Sequence, residues 1–124
     1  MEKRQGEPSP RRVLVADDDA AIAATLDTIL RRRLGCDVTL AATGDEALLA
    51  LERRPADVIL ADMMMPGVHG LELISTVRKR HPYTDIVVLT GFSEDFPYVE
   101  VVMAGARDII AKPCSNAELE AKLL

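Results

Sequence analysis

Short apolar runs recur along this chain, and a segment with helical spacing follows each of them. Residues 13–16, 58–61 and 86–89 are continuous apolar runs, which is typical of strands buried on both faces of a sheet. Two weaker runs, at 36–41 and 107–111, also read as strands. The resulting order βαβαβαβαβα predicts an α/β fold: a doubly wound, five-stranded parallel sheet between two layers of helices.

Polar residues and glycines indicate where several helices begin and end. Asp19 is a suitable N-cap for the first helix, and Gly35 a suitable stop for it. Thr43 and Ser115 are each followed three residues later by glutamate, which is the spacing of a capping box.

The fourth helix carries a proline that limits where it can start. Pro97 is tolerated in a first turn, so the regular helix is expected to begin near Phe96 within the segment 92–106. Val99, Val102 and Met103 are predicted to form its buried face.

Composition narrows the class of protein. The chain has 124 residues, a net charge of −5, and 48% hydrophobic residues, which suits one globular domain. The negative charge argues against non-specific nucleic-acid binding by this domain. No apolar run approaches the roughly 20 residues of a membrane span, and the start lacks a signal-peptide core, so a cytoplasmic protein is expected.

The predicted domain covers residues 12–124, after a disordered tail over 1–11. The last helix is short, which is consistent with truncation before an output domain. The two cysteines are interpreted as reduced packing residues, and His69 and His81 as surface residues, since neither type shows metal-ligand spacing.

Polar residues follow four of the predicted strands. Asp17 and Asp18 come after the first strand, Asp62 ends the third, Thr90 the fourth, and Lys112 follows the fifth. Because the carboxyl ends of parallel strands share one edge, these side chains are expected to meet. Clustered carboxylates repel one another, and a hard cation such as Mg²⁺ would relieve that repulsion. The hydroxyl and ammonium suit phosphoryl transfer, with Asp62 as a nucleophile that forms an aspartyl phosphate.

The segments 13–19, 62–70, 88–91, 104–106 and 112–113 together resemble the receiver domain of two-component response regulators, over essentially residues 12–124. The resemblance implies a flavodoxin-like fold with strand order 2-1-3-4-5. It also implies that Asp62 accepts a phosphoryl group from the phosphohistidine of a sensor histidine kinase or a phosphotransfer protein.

The same resemblance implies the roles of the residues around Asp62. Asp18, Asp62 and the backbone carbonyl of Met64 would ligate Mg²⁺, or Mn²⁺ in its place, with Asp17 acting through water. Thr90 and Lys112 would bind the phosphoryl oxygens.

The chain departs from the family pattern in ways that affect the switch. Ile109 replaces the usual Tyr or Phe, so the usual coupling of that aromatic to Thr90 cannot operate in its ordinary form. Met64 and Phe92 are bulky at positions that the family varies, and they are predicted to slow loss of the phosphate.

All four aromatic residues of the chain lie between Tyr83 and Tyr98. Local core packing is one interpretation. The alternative hypothesis is that Phe92, Phe96 or Tyr98 reports phosphorylation, with the segment 91–105 as a two-state element that contacts partners.

Three alternatives remain beside the phosphoacceptor. A Mg²⁺-dependent phosphatase with an aspartate nucleophile usually has an Asp-x-Asp pattern, which Asp17 to Ala20 lacks, so a turnover enzyme is not expected. A receiver-like docking module that never uses phosphate is kept open by Ile109. Nucleotide binding is disfavoured because no Gly-x-Gly-x-x-Gly follows the first strand. The downstream effector and the oligomeric state are left open, although members of this class often form homodimers when phosphorylated.

Overall fold

A computed structural model describes residues 11–63, 70–90, 98–111 and 115–123 of the chain. Five strands alternate with five helices. The elements are β1 Arg12–Ala16, α1 Ala20–Leu34, β2 Asp37–Ala41, α2 Gly44–Arg53, β3 Val58–Asp62, α3 Gly70–Arg80, β4 Asp85–Thr90, α4 Tyr98–Ala104, β5 Asp108–Ala111 and α5 Asn116–Leu123.

The five strands form one parallel sheet in the order β2-β1-β3-β4-β5, as predicted. Ala16 is aligned with Ala61, and Asp62 with Leu89. The register therefore brings the carboxyl ends of β1, β3 and β4 to one level at the same edge of the sheet.

The sheet is covered on both faces, and alternation along each strand sorts the core into two clusters. Leu14 and Ala16 of β1 belong to one cluster, together with residues of α2, α3 and α4. Val13 and Val15 belong to the other, together with residues of α1 and α5. Burial of each large aliphatic side chain contributes about 1.5–3 kcal/mol to the free energy of folding, so both clusters stabilise the packing of the helices against the sheet. The predicted three-layer architecture is confirmed.

The predicted caps form in the structure. The Asp19 carboxylate accepts the N–H groups of Ala21 and Ile22, at 3.0 and 3.2 Å. Gly35 ends α1 with a φ of 65°, in the left-handed region that favours glycine. Thr43 and Ser115 each accept the N–H of the glutamate three residues later.

The predicted buried face of α4 is wrong in two of its three members. Val102 is 37% exposed and Met103 82% exposed, whereas Val101 is fully buried. The side chain of Val99 lies outside the described residues. Apolar residues occur all around this seven-residue helix, so their spacing did not fix which side faces the core.

No helix among the described residues is both long and apolar enough to span a membrane.

Candidate functional site

Three carboxylates converge at the carboxyl edge of the sheet. Asp17 follows β1, and Asp62 is the last residue of β3. One oxygen from each of Asp17, Asp18 and Asp62 lies within 4.8 Å of the other two. Asp17 and Asp62 are 3% and 6% exposed, while Asp18 is exposed. The predicted meeting of these three residues is therefore observed.

Local hydrogen bonds give the three consecutive aspartates different orientations. The Asp17 N–H donates to the Ala41 carbonyl at 3.0 Å, which continues the β1–β2 ladder. The Asp17 carboxylate accepts the N–H of Asp19 at 2.9 Å. Asp19 in turn caps α1, so only Asp17 and Asp18 direct carboxylates toward Asp62.

The donor set suits a hard divalent cation. Three carboxylates at this separation repel one another, and two of them are largely shielded from water. Oxygen ligands are those that Mg²⁺ and Mn²⁺ prefer. Asp17, Asp18 and Asp62 therefore have the chemistry and proximity to hold such an ion.

Thr90 lies beside this cluster at the end of β4. It is 3% exposed, and it follows Leu89, which is aligned with Asp62. Its own partner in the sheet is Ala111, the last residue of β5. A buried hydroxyl group is thus placed one strand away from the carboxylates.

Ile109 lies in the middle of the edge strand β5. Its side chain is partly buried and packs against the core cluster beneath α2, α3 and α4. An aliphatic side chain thus occupies the position where the resemblance leads one to expect an aromatic ring.

The remaining predicted site residues stay predictions. Met64, Phe92, Phe96 and Lys112 lie outside the described residues. Tyr98 is the first residue of α4, and its side chain is also outside the description.

A contact that the sequence pattern does not reveal lies next to Asp62, between Met63 and Gly70. Gly70, the first residue of α3, packs against Met63. A Cβ atom on Gly70 would lie 2.8 Å from Met63 Cε and 2.9 Å from its carbonyl oxygen. Met63 and Gly70, the described residues on either side of 64–69, therefore lie against each other. A glycine at a helix start was the available signal, since glycine is a poor helix former.

Comparison with named proteins supports this interpretation of the site. The sequence model of the response regulator receiver domain matches residues 13–124. The chain is 36% identical, over 93% of its length, to the transcriptional regulatory protein TrcR of Mycobacterium tuberculosis. It is 34% identical, over 91% of its length, to the alkaline phosphatase synthesis transcriptional regulatory protein PhoP of Bacillus subtilis. The matched parts span 44% and 47% of those two proteins, so this chain corresponds to less than half of each.

Solved structures show the same likeness in three dimensions. A CheY-like receiver domain protein of Methanospirillum hungatei superimposes with a TM-score of 0.86 at 32% identity, covering 93% of this chain and 91% of that one. The chemotaxis response regulator CheY4 of Vibrio cholerae gives a TM-score of 0.85 at 30% identity, covering 93% and 97%. The chain belongs to the response regulator receiver domain family, the phosphoacceptor signalling modules of two-component systems.

Proposed function

We propose that Asp62 accepts a phosphoryl group from the phosphohistidine of a sensor kinase or phosphotransfer protein, in a Mg²⁺-dependent reaction that changes partner binding. The observation that supports this most directly is the carboxylate cluster, in which Asp17 and Asp18 surround Asp62 within 4.8 Å. Thr90, buried one strand away, supports it further.

The residues have distinct roles in this transfer. A carboxylate oxygen of Asp62 attacks phosphorus, the new O–P bond forms as the P–N bond breaks, and the histidine nitrogen keeps the electron pair and takes up a proton. Asp18, Asp62 and the Met64 carbonyl would hold Mg²⁺, with Asp17 acting through water. The ion would supply positive charge to the phosphoryl oxygens. Thr90 and Lys112 bind those oxygens and orient them.

The product is a signal and not a released compound, so the domain acts as a switch that loses its phosphate by hydrolysis. Ile109 is partly buried against the core and offers no ring to swing toward Thr90. We therefore assign the two-state element to the segment 91–105, with Phe92, Phe96 or Tyr98 as the aromatic that reports phosphorylation.

We further propose where the domain acts and what it contacts. Residues 12–124 act as one receiver domain in the cytoplasm, where the phosphodonor kinase meets it. A downstream effector reads the phosphorylated state, and phosphorylation favours a homodimer.

The test uses the protein with Mg²⁺ and acetyl phosphate, followed by measurement of intact mass. One added phosphoryl group is expected, and it should be absent in Asp62→Asn and in the presence of EDTA. Absence of the adduct in the unaltered protein, with Mg²⁺ binding confirmed and rapid hydrolysis excluded by short incubation, would instead identify a phosphorylation-independent docking module.

A further inference from the structure

The positive charges of the described residues are gathered at one end of the molecule. All twelve described Lys and Arg residues lie at the amino-terminal end of the sheet, where strands begin and helices finish. They are Arg11 and Arg12 at β1, Arg31, Arg32 and Arg33 at the end of α1, Arg53 and Arg54 at the end of α2, Arg78, Lys79 and Arg80 at the end of α3, Arg107 before β5, and Lys122 at the end of α5.

The fold explains this placement. Helices that connect parallel strands run opposite to them, so every helix finishes at the amino-terminal end, where cations match the helix dipole. The carboxyl edge carries the opposite charge: Asp17, Asp18, Asp19, Asp45, Glu46, Asp62 and Glu72. Within the described ranges, no Lys or Arg lies at that edge. The cations are therefore concentrated at the amino-terminal end, although Asp37, Glu52, Asp57, Asp85 and Asp108 lie at that end too.

Ion pairs neutralise only part of the basic end. Arg31, Arg33 and Arg54 each have a carboxylate within 3.1 Å, and Arg11 and Arg107 share Asp85 at 3.8 Å. Five exposed residues form no ion pair with any other described residue: Arg12, Arg32, Arg53, Arg78 and Lys79. Three of these five, Arg53, Arg78 and Lys79, are at the ends of α2 and α3.

An open cleft of about 580 Å³ lies beside the ends of α2 and α3. Arg12 and Arg80 line it together with Asp57, whose carboxylate accepts the backbone N–H of Arg12 at 2.8 Å, and Pro55 and Pro82 give it an apolar part. Tyr83, also in the lining, is 96% exposed, which is unusual for an aromatic side chain. The cleft has the size of a small-ligand site and combines guanidinium groups with an aromatic ring.

Among the described residues, Glu52 is the carboxylate that approaches Arg80, and their interaction is weak. Glu52 lies 3.9 Å from Arg80 Nη1, and both side chains are more than half exposed. Glu52 is also 3.5 Å from Nε2 of His81, whose side chain is only 12% exposed, contrary to the prediction of a surface histidine. Because the Arg80–Glu52 contact is long and exposed, an incoming anion can replace Glu52 as the partner of Arg80. Glu52 then keeps its contact with His81.

We propose that this corner, defined by Arg12, Arg53, Lys79, Arg80 and Tyr83, binds the phosphodiester backbone of single-stranded nucleic acid. Guanidinium groups pair with phosphate in two-point geometry, and an exposed ring offers a stacking platform to any base. The acidic edge does not oppose this contact, because five-residue strands separate the two ends by about 17 Å, beyond a Debye length of about 8 Å at physiological salt.

Binding depends on the local charge at this corner, whereas the expectation of no nucleic-acid binding rested on the net charge of the whole chain. The contact is independent of phosphorylation at Asp62, so it stands or falls separately from the proposed function.

The test measures fluorescence anisotropy of a labelled single-stranded oligonucleotide with the full chain, from low to physiological salt. Arg53→Gln and Lys79→Gln should each weaken binding about threefold, and together about tenfold, and flatten the salt dependence by about 0.7 per lost phosphate contact. Arg32→Gln removes the same charge from an exposed, unpaired arginine outside the corner, and it should bind within twofold of the unaltered protein.

A second pair of variants examines the ring. Tyr83→Phe keeps the stacking surface and should bind normally, whereas Tyr83→Ala should weaken binding several-fold. No binding at low salt would overturn the proposal, as would equal weakening by Arg32→Gln or no loss in Tyr83→Ala. Competition by polyglutamate as effective as that by unlabelled oligonucleotide would assign the corner to an acidic protein instead.

Discussion

At the scale of single residues, three consecutive aspartates divide two tasks between them. Asp17 is buried and fixed by the N–H of Asp19, Asp18 is exposed toward the same cluster, and Asp19 caps a helix. The turn that stabilises α1 thus also orients a carboxylate of the candidate metal site. Substitutions in this turn are consequently expected to affect stability and ion binding together.

Gly70→Ala should destabilise the protein and weaken Mg²⁺ binding. The added Cβ would lie 2.8 Å from Met63 Cε and 2.9 Å from the Met63 carbonyl oxygen, and Met63 directly follows Asp62. We expect a loss of about 1–3 kcal/mol in the free energy of unfolding, as for other overpacked sites. Urea denaturation with EDTA and a Mg²⁺ titration followed by NMR measure the two effects.

The Met63→Ala background supplies the control for this substitution. Removing Cε and Sδ frees part of the space that the new methyl needs, although the carbonyl oxygen stays in place. The double variant should therefore lose less stability than the two single variants summed. Strict additivity would show that the clash with the Met63 side chain is not the cause.

At the scale of elements, the helix caps are separable contributions. Asp19→Ala removes two hydrogen bonds to the first turn of α1 and should lower the free energy of unfolding by about 1 kcal/mol. Asp45→Ala, in the first turn of α2, removes an exposed acid that does not cap its helix, and should change stability much less. Thermal denaturation with EDTA compares them without a contribution from bound metal, and equal losses would refute the capping role.

The segment 91–105 should respond when a phosphoryl mimic binds. Ile109 has no aromatic ring, so the usual coupling between an aromatic side chain at this position and Thr90 cannot operate. We therefore expect the backbone NMR shifts of the segment 91–105 to change when beryllofluoride and Mg²⁺ are added. Shifts of β2, which lies on the far side of β1 from β3 and β4, serve as the internal control. An unchanged segment 91–105 would exclude it as the two-state element.

Elements with a strong pattern were predictable, and elements with an ambiguous one were not. The strands 58–61 and 86–89 are apolar throughout, so their burial and the meeting of Asp17, Asp62 and Thr90 at one edge followed from parallel topology alone. α4 is apolar on several sides, and only tertiary packing selects Val101 for the core. The Gly70–Met63 contact depends on a distance that no spacing along the chain encodes.

At the scale of the whole molecule, Mg²⁺ should stabilise the fold. A ligand that binds only the folded state adds about 1.4 kcal/mol at ten times its Kd, and the relief of repulsion among Asp17, Asp18 and Asp62 is the source of that affinity. The melting temperature should rise when Mg²⁺ is added and return to its metal-free value when EDTA removes the ion. Asp62→Asn should respond less, because one charge of the cluster is gone; an equal response would place the ion elsewhere.

The strand order also has a consequence for how the chain folds as it is synthesised. β3 pairs with β1 on one side and β4 on the other, so the sheet can grow beyond β3 only after β4 has emerged. A nascent chain that ends near Asp62 already contains all three carboxylates, while the β3 edge is apolar and unpaired. Such an edge readily associates with other strands. The short interval before β4 emerges is therefore the period in which this protein most needs protection from aggregation.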